Sequence, residues 1–323
     1  MSGFTITAGV SFSGGFTFTE APVENTAAWF GGGYIPGDSR TASVNRITFA
    51  TDTNTTSVRG PLSVARQGLA AASNTIYGWF AAGYAGVGPF GVLSRVDRIT
   101  FATDTDTASV RGPLSVSKFY VAAAGNTTDG WFGGGYGGES RVDRITYATD
   151  TDTASVRGPL SVSRVFFAAA GNSTDGWYAG SGITSPVPLY LSSVDRITYA
   201  TDTATASVRG PLSSVRGQEG AAGNSTNGWF AGGGPGPLST VERITYATDT
   251  ATASVRGPLS LARTANLGAA GNSTDGFFGG GYFPGGNRST VDRITYATDT
   301  ATASVRGPLS QVRSYTTAAG GIQ

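Results

Sequence analysis

The chain has 323 residues, 49 of them Gly, with 22 Lys and Arg against 21 Asp and Glu, no His and no Cys. The missing imidazoles and thiols exclude His- and Cys-ligated metals, Cys and His nucleophiles, His general bases and disulfides, and the near-neutral charge balance is wrong for an electrostatic nucleic-acid binder. No apolar run reaches the ~20 residues of a membrane-spanning helix, so no membrane insertion is expected, while 39% hydrophobic and 11% aromatic residues suffice for a core.

The N-terminus, Met1-Ser2-Gly3-Phe4, lacks a basic stretch, so no secretion signal is expected and synthesis should be cytoplasmic. In residues 1–24, Phe4, Ile6, Val10, Phe12, Phe16 and Phe18 fall on even positions around Gly14-Gly15, which predicts a two-stranded hairpin with one apolar face. A lone hairpin is marginal in water. This arm is therefore expected either to layer onto a blade or to serve as an assembly segment contacting other subunits.

From residue 25 the chain repeats. Arg-Ile-Thr starts at Arg46, Arg98, Arg144, Arg196, Arg243 and Arg293, and Gly-Pro-Leu-Ser at Gly60, Gly112, Gly158, Gly210, Gly257 and Gly307. Aromatic pairs recur at Trp29-Phe30, Trp79-Phe80, Trp131-Phe132, Trp177-Tyr178, Trp229-Phe230 and Phe277-Phe278. Each unit reads as four short strands. In one copy residues 165–170 form an apolar run, 171–176 a turn and 177–180 an aromatic strand before a loop. Residues 194–199 then alternate apolar and polar, 201–204 turn, and 205–209 form a last strand stopped by Gly210-Pro211. No segment has a helical period. Six such units predict an all-β fold, a six-bladed β-propeller of four-stranded blades over residues 25–323. The chain ends after an innermost strand near Tyr315 and begins, after the arm, at an aromatic-pair strand. The C-terminal strand should therefore complete the N-terminal blade and leave no open edge.

The order of these landmarks resembles the kelch repeat. Gly32-Gly33, Gly133-Gly134 and Gly279-Gly280 match its Gly doublet, Tyr147, Tyr199, Tyr246 and Tyr296 its third-strand Tyr, and Arg66, Arg164, Arg216, Arg263 and Arg313 the Arg opening the next unit. Lys118 replaces that Arg once, Phe49 and Phe101 replace the Tyr, and the expected fourth-strand Trp is absent. The near-identical units also look like repeat regions in tail-fibre-like proteins of marine bacteriophages, cyanophages especially. These resemblances imply a β-propeller in a virion.

Most charges occur once per unit: Asp97 and its equivalents, Asp52 and its equivalents, and the Arg before each Gly-Pro-Leu-Ser. A catalytic group is needed once, in an asymmetric pocket, so six copies point to turn chemistry and blade-to-blade ion pairs. No cofactor, metal site or enzymatic centre is expected. The units differ in two segments. With strands A to D counted from the axis outward, one is the B–C loop and the other the D–A connection, and an up-and-down blade places both on one face. Scaffold constancy with loop variety on one rim is how binding surfaces are built. The binding residues expected there are Phe119, Tyr120, Phe166, Gln218, Glu219, Asn266 and Tyr315 around the axis, and Phe90, Tyr190 and Phe283 in the outer loops. The function expected is a non-enzymatic binding or adhesion module of a bacteriophage tail or surface fibre, contacting a host surface glycan or protein within a larger assembly. The alternatives are a structural protein that polymerises or decorates a particle through its arm, and a cellular kelch-type scaffold.

Overall fold

The structure is a computed structural model; it describes residues 26–37, 39–86, 91–136, 140–181 and 189–320, so the arm and its six apolar residues lie outside it. Six four-stranded antiparallel sheets make six blades. In the fourth the order is Phe167–Gly171, Asp175–Gly180, Val194–Thr198 and Ser207–Arg209, each strand hydrogen-bonded to the next in sequence. The first blade is built from both ends of the chain. Thr317–Ala319 pairs with Ala27–Gly31, Trp29 opposite Ala319, and Val44–Thr48 and Ser57–Arg59 complete the sheet. The innermost strands of the first and sixth blades touch, as those of all other neighbours do, so the ring is closed.

Local structure departs from the sequence reading at the element ends: strand B starts at Asp175, inside the expected turn, and strand D at Ser207. The third strand stops at Thr198, and Tyr199–Thr201 forms a 3-10 turn, repeated in every blade. The inner strand starts at Phe167 because Phe166 turns the corner at φ 57°.

Both the turn and the once-per-unit charges are explained by contacts between blades. The Trp177 ring stacks at 3.7 Å and 5° on Tyr246 of the next blade's turn. Its indole Nε1 donates to Asp249 Oδ2 at 2.9 Å. Arg196 and Arg209 of the same blade reach that oxygen at 3.0 and 3.4 Å. Each turn Asp is thus a clasp taking one indole and two guanidinium groups from the preceding blade, as at Asp104, Asp150, Asp202 and Asp299. At Asp52 only Arg293 and Arg306 arrive, because Phe277 has no N–H; it stacks on Phe49 at 4.9 Å. The Gly of Gly-Pro-Leu-Ser is required here. A Cβ on Gly60 would drive into the Asp106 carbonyl of the neighbouring turn, and the other five copies meet the same obstacle.

A second, fully buried clasp lies nearer the axis. Arg66 Nη1 donates to Asp97 Oδ2 at 2.8 Å, and Ser63 of the preceding blade donates to the same carboxylate from N and Oγ. Lys118–Asp143, Arg164–Asp195, Arg216–Glu242 and Arg263–Asp292 repeat it. The closing blade is the exception. Asn45 stands in the acid's place, and buried Arg313 bonds Gly32 O, Ser43 O and Ser43 Oγ instead.

Candidate binding face

The D–A connection leads into strand A just as the B–C loop leaves strand B, so the two extend one ladder. Bridges Gln67↔Tyr84, Gly217↔Gly234, Thr264↔Tyr282 and Tyr34↔Ser314 tie them together, placing both variable segments on one face.

At the axis the D–A connections form a girdle. The second residue after each opening Arg or Lys has a left-handed backbone: Gly68, Tyr120, Phe166, Gln218, Ala265 and Tyr315, with φ between 51° and 65°. That conformation turns each N–H toward the preceding blade. Tyr120 N donates to Gly68 O at 2.6 Å, Phe166 N to Tyr120 O at 3.4 Å and Gln218 N to Phe166 O at 2.6 Å. Asn266 N donates to Gln218 O at 2.8 Å, Tyr315 N to Ala265 O at 2.7 Å and Gly68 N to Tyr315 O at 3.0 Å, which closes the ring. A left-handed backbone costs a non-Gly residue ~1–2 kcal/mol. Five of the six positions carry that cost, and the cyclic hydrogen bonding holds them there.

Three of these side chains meet over the axis. Tyr120 lies 4.0 Å from Phe166 and 5.1 Å from Tyr315, ring centre to ring centre. Phe166 and Tyr315 belong to opposite blades yet approach to 6.3 Å. They plug the mouth instead of lining an open one. Tyr120 is only 9% exposed, its hydroxyl receives a bond from Gln67 Nε2 at 3.1 Å, and burial pushes its pKa up. Beneath the plug the axis holds two cavities of about 60 and 80 Å³, the larger lined by Ala, Gly and Ser and the smaller also by Leu69, Val121, Phe167, Glu219 and Leu267.

The other expected residues fall in different places. Phe119 packs between Tyr84, Tyr120 and Tyr136 at 4.6–5.4 Å. Gln218 Oε1 receives Thr264 Oγ1 at 2.8 Å, and Asn266 lines the upper cavity. Glu219 is not displayed at the mouth. At 2% exposure it is wedged between the fourth and fifth blades against Gly180, where other blades carry Leu69, Val121, Phe167 or Leu267. Neither carboxyl oxygen has a hydrogen-bond partner in another residue, and burial raises the pKa to about 8 against the pull of its own backbone N–H, Arg216 and Arg164. Tyr190 and Phe283 are half-buried outer-loop residues, Phe283 under the Arg288 guanidinium at 5.5 Å; Phe90 lies outside the described residues.

No family model and no curated protein matches the sequence.

Residues not singled out from sequence complete the face. Tyr34, Tyr84, Tyr136 and Tyr282 also lie there, Tyr136 at 55% exposure, and Arg40 sits 5.1 Å over Tyr84. The signal for them was present, since all fall in the varying B–C loops. The opposite face is built from turns that bond themselves. Asn172 Oδ1 accepts from Thr174 N and Asp175 N, and Asn172 Nδ2 donates to Ser225 O of the next blade. Among the described residues no group of three or more Asp or Glu converges on a metal-sized site.

Proposed function

We propose that this protein is a non-enzymatic binding module that uses the face carrying the B–C loops and the plugged mouth, and that it serves in a virion fibre contacting a host surface glycan or protein. The observation that carries the reading is the gathering of both varying segments, with their tyrosines, on one face, while the opposite turns are near copies. Tyr offers large contact area, a rigid ring and a polar tip at low entropic cost, which suits sugar and protein contacts. The acids and cations of the repeat are consumed by the clasps, which leaves them no catalytic duty. The kelch-like landmarks and the resemblance to cyanophage tail-fibre repeats supply the virion context. The test is host-cell adhesion and glycan-array binding by the full chain and by Tyr136→Ala and Tyr190→Ala. Loss of ~1–2 kcal/mol of binding free energy at either position, the scale of an aromatic anchor, with an unchanged melting temperature, is expected. Adhesion that survives replacing the B–C loops with Gly-Ser would overturn the reading.

A further inference from the structure

Strands A and B of the first blade come from opposite ends of the chain, so this blade alone has no A–B turn. Ala27 pairs with Thr48 as Asp175 pairs with Thr198. Thr26 therefore stands at the place of Thr174, and the N-terminal arm joins the propeller on the face opposite the varying loops.

Four departures from the repeat cluster at that point, each replacing a polar residue by an apolar one. Ala27 stands where Asp129, Asp175, Asn227 and Asp275 open strand B of the third to sixth blades. Ile76 stands in the second blade's A–B turn where every other blade has Thr, and it is 53% exposed. Phe49 and Phe101 replace Tyr147, Tyr199, Tyr246 and Tyr296; the four tyrosines are buried, and the two phenylalanines are half-buried. Their backbones mark the same spot, Phe49 N donating to Thr26 O at 2.9 Å and Phe101 N to Ile76 O at 3.0 Å. Stacking does not demand phenylalanine here, since Trp79 lies on Tyr147 at 3.7 Å and Trp29 on Phe101 at 3.9 Å.

Between the first and second blades these residues border a groove of about 280 Å³, lined by Thr26, Ala27, Trp29, Thr75 and Phe101 among others. The equivalent groove between the fourth and fifth blades, about 340 Å³, is lined by Asn172, Asp175, Tyr246 and Thr226 instead. One position of a repeated polar groove has thus become apolar, and it is the one that the arm must pass.

We propose that the arm of the same chain docks in this groove, laying the apolar residues of segment 4–18 over Ile76, Phe101 and the edge of Trp29 and standing in for the missing A–B turn. The chemistry matches, because Phe4, Ile6, Val10, Phe12, Phe16 and Phe18 need apolar cover. The reach suffices, because Phe18 is eight residues from Thr26, which allows up to ~29 Å of extended chain to a groove that Thr26 itself lines. The tether selects the chain's own arm over that of a second copy, since a short linker supplies an effective concentration on the order of mM. The groove is on the face opposite the varying loops, so its occupancy and the binding face are tested apart.

The experiment places p-benzoylphenylalanine at position 12 or, separately, 16 of the full chain, irradiates an equal mixture of unlabelled and ¹⁵N-labelled protein, and maps the tryptic cross-links. Links within one molecule to peptides 67–95 and 99–111, which hold Ile76 and Phe101, are expected. Ile76→Thr/Phe101→Tyr, which installs the residues of the other blades, and Ile76→Glu alone should each cut their yield ~10-fold or more. Both variants should keep the near-UV circular dichroism of the propeller, because the first carries the repeat's own residues and the second alters a surface side chain. Links to the same peptides that join labelled to unlabelled chains overturn the proposal and make the groove a contact between copies. Links to other blades, links that survive both variants, or no links at all overturn it outright.

Discussion

Replacing Glu219 by Leu, the residue of the second and sixth blades at this place, should make the protein more stable by an amount that grows with pH. The carboxyl is 2% exposed, has no hydrogen-bond partner in another residue, and has a pKa raised from 4.5 to about 8, chiefly by burial. The native state therefore keeps a proton that the unfolded chain releases once the pH passes 4.5. Between those two values the folded form binds more protons than the unfolded one, so stability falls as pH rises. Below 4.5 both states are protonated and the ionisation costs nothing; above about 8 both are ionised and the whole loss has been incurred. The rise from 4.5 to about 8, at ~1.4 kcal/mol for each pH unit, sets that loss at ~5 kcal/mol, with ~3 kcal/mol of it reached by pH 7. Glu219→Leu should also recover ~1–3 kcal/mol at acidic pH by removing a buried polar group without a partner. The window is clean because the chain has no His and no Cys, so side chains with ordinary pKa values do not titrate between pH 5 and 8. Urea unfolding followed by tryptophan fluorescence at pH 5, 6, 7, 8 and 9 measures the difference directly. Parallel stability profiles for the two proteins across that range would refute the reasoning, because they would mean that the carboxyl is solvated or paired in the native state.

Three further perturbations test the clasps and the closure. Asn45→Asp should supply the missing carboxylate for buried Arg313, whose pKa burial has pushed down to about 10; Ser310 already donates from N and Oγ at 2.7 and 2.8 Å to the side-chain oxygen an Asp would share. A gain of ~1–3 kcal/mol in urea denaturation is expected for a charge-assisted bond, and a loss would show that Ser43 and the Gly32 carbonyl satisfy the guanidinium fully. Phe277→Trp should give Asp52 its absent indole donor and add ~1 kcal/mol, since Trp29 already stacks on a Phe, Phe101, at 3.9 Å; a lowered melting temperature would mean that the first and sixth blades stand too close for the larger ring. Deleting residues 311–323 removes Arg313 and the strand Thr317–Ala319, exposing the edge of Ala27–Gly31. Cooperative unfolding should be lost and aggregation should follow, whereas a melt like that of the full chain would contradict closure through the first blade.

Architecture was legible because its signals are local and repeated. Trp177-Tyr178, the alternation of residues 194–198 and the stop at Gly210-Pro211 each specify a strand or its end without knowledge of the neighbours, and six copies remove the ambiguity of any one. The turn at Tyr199–Thr201 was not legible. Residue 199 continues the alternation of strand C, and its partner, the Trp131 indole of the preceding blade stacked on it at 3.8 Å, stands far away in sequence. The charge pattern announced ion pairs, and the partners were hidden for the same reason, since Arg66 and Asp97 stand 31 positions apart, Trp177 and Asp249 72, and Arg293 and Asp52 241. Burial of Glu219 was hidden as well. Its neighbours Gln218 and Gly220 read as a polar connection, and the comparison that exposes it is with Leu69, Val121, Phe167 and Leu267 in other blades.

Variation among the units therefore has two physical origins, and only one of them speaks to binding. A sixfold axis cannot hold six aromatic rings. Tyr120, Phe166 and Tyr315 fill the mouth, and the remaining girdle positions must be small or slender, as Gly68, Ala265 and Gln218 are. A Cβ on Gly68 would already collide with the Tyr120 ring. Identical D–A connections would overpack the axis or leave it empty, so packing alone forces those segments apart. No such constraint acts on the B–C loops, which lie away from the axis and carry Tyr136 and Tyr282 into solvent. Their differences are the part of the sequence that the fold does not explain. Mutational effects should divide along the same line. Changes at Tyr120 or Phe166 should lower stability first and binding as a consequence, and changes at Tyr136 should lower binding in a protein that still melts normally.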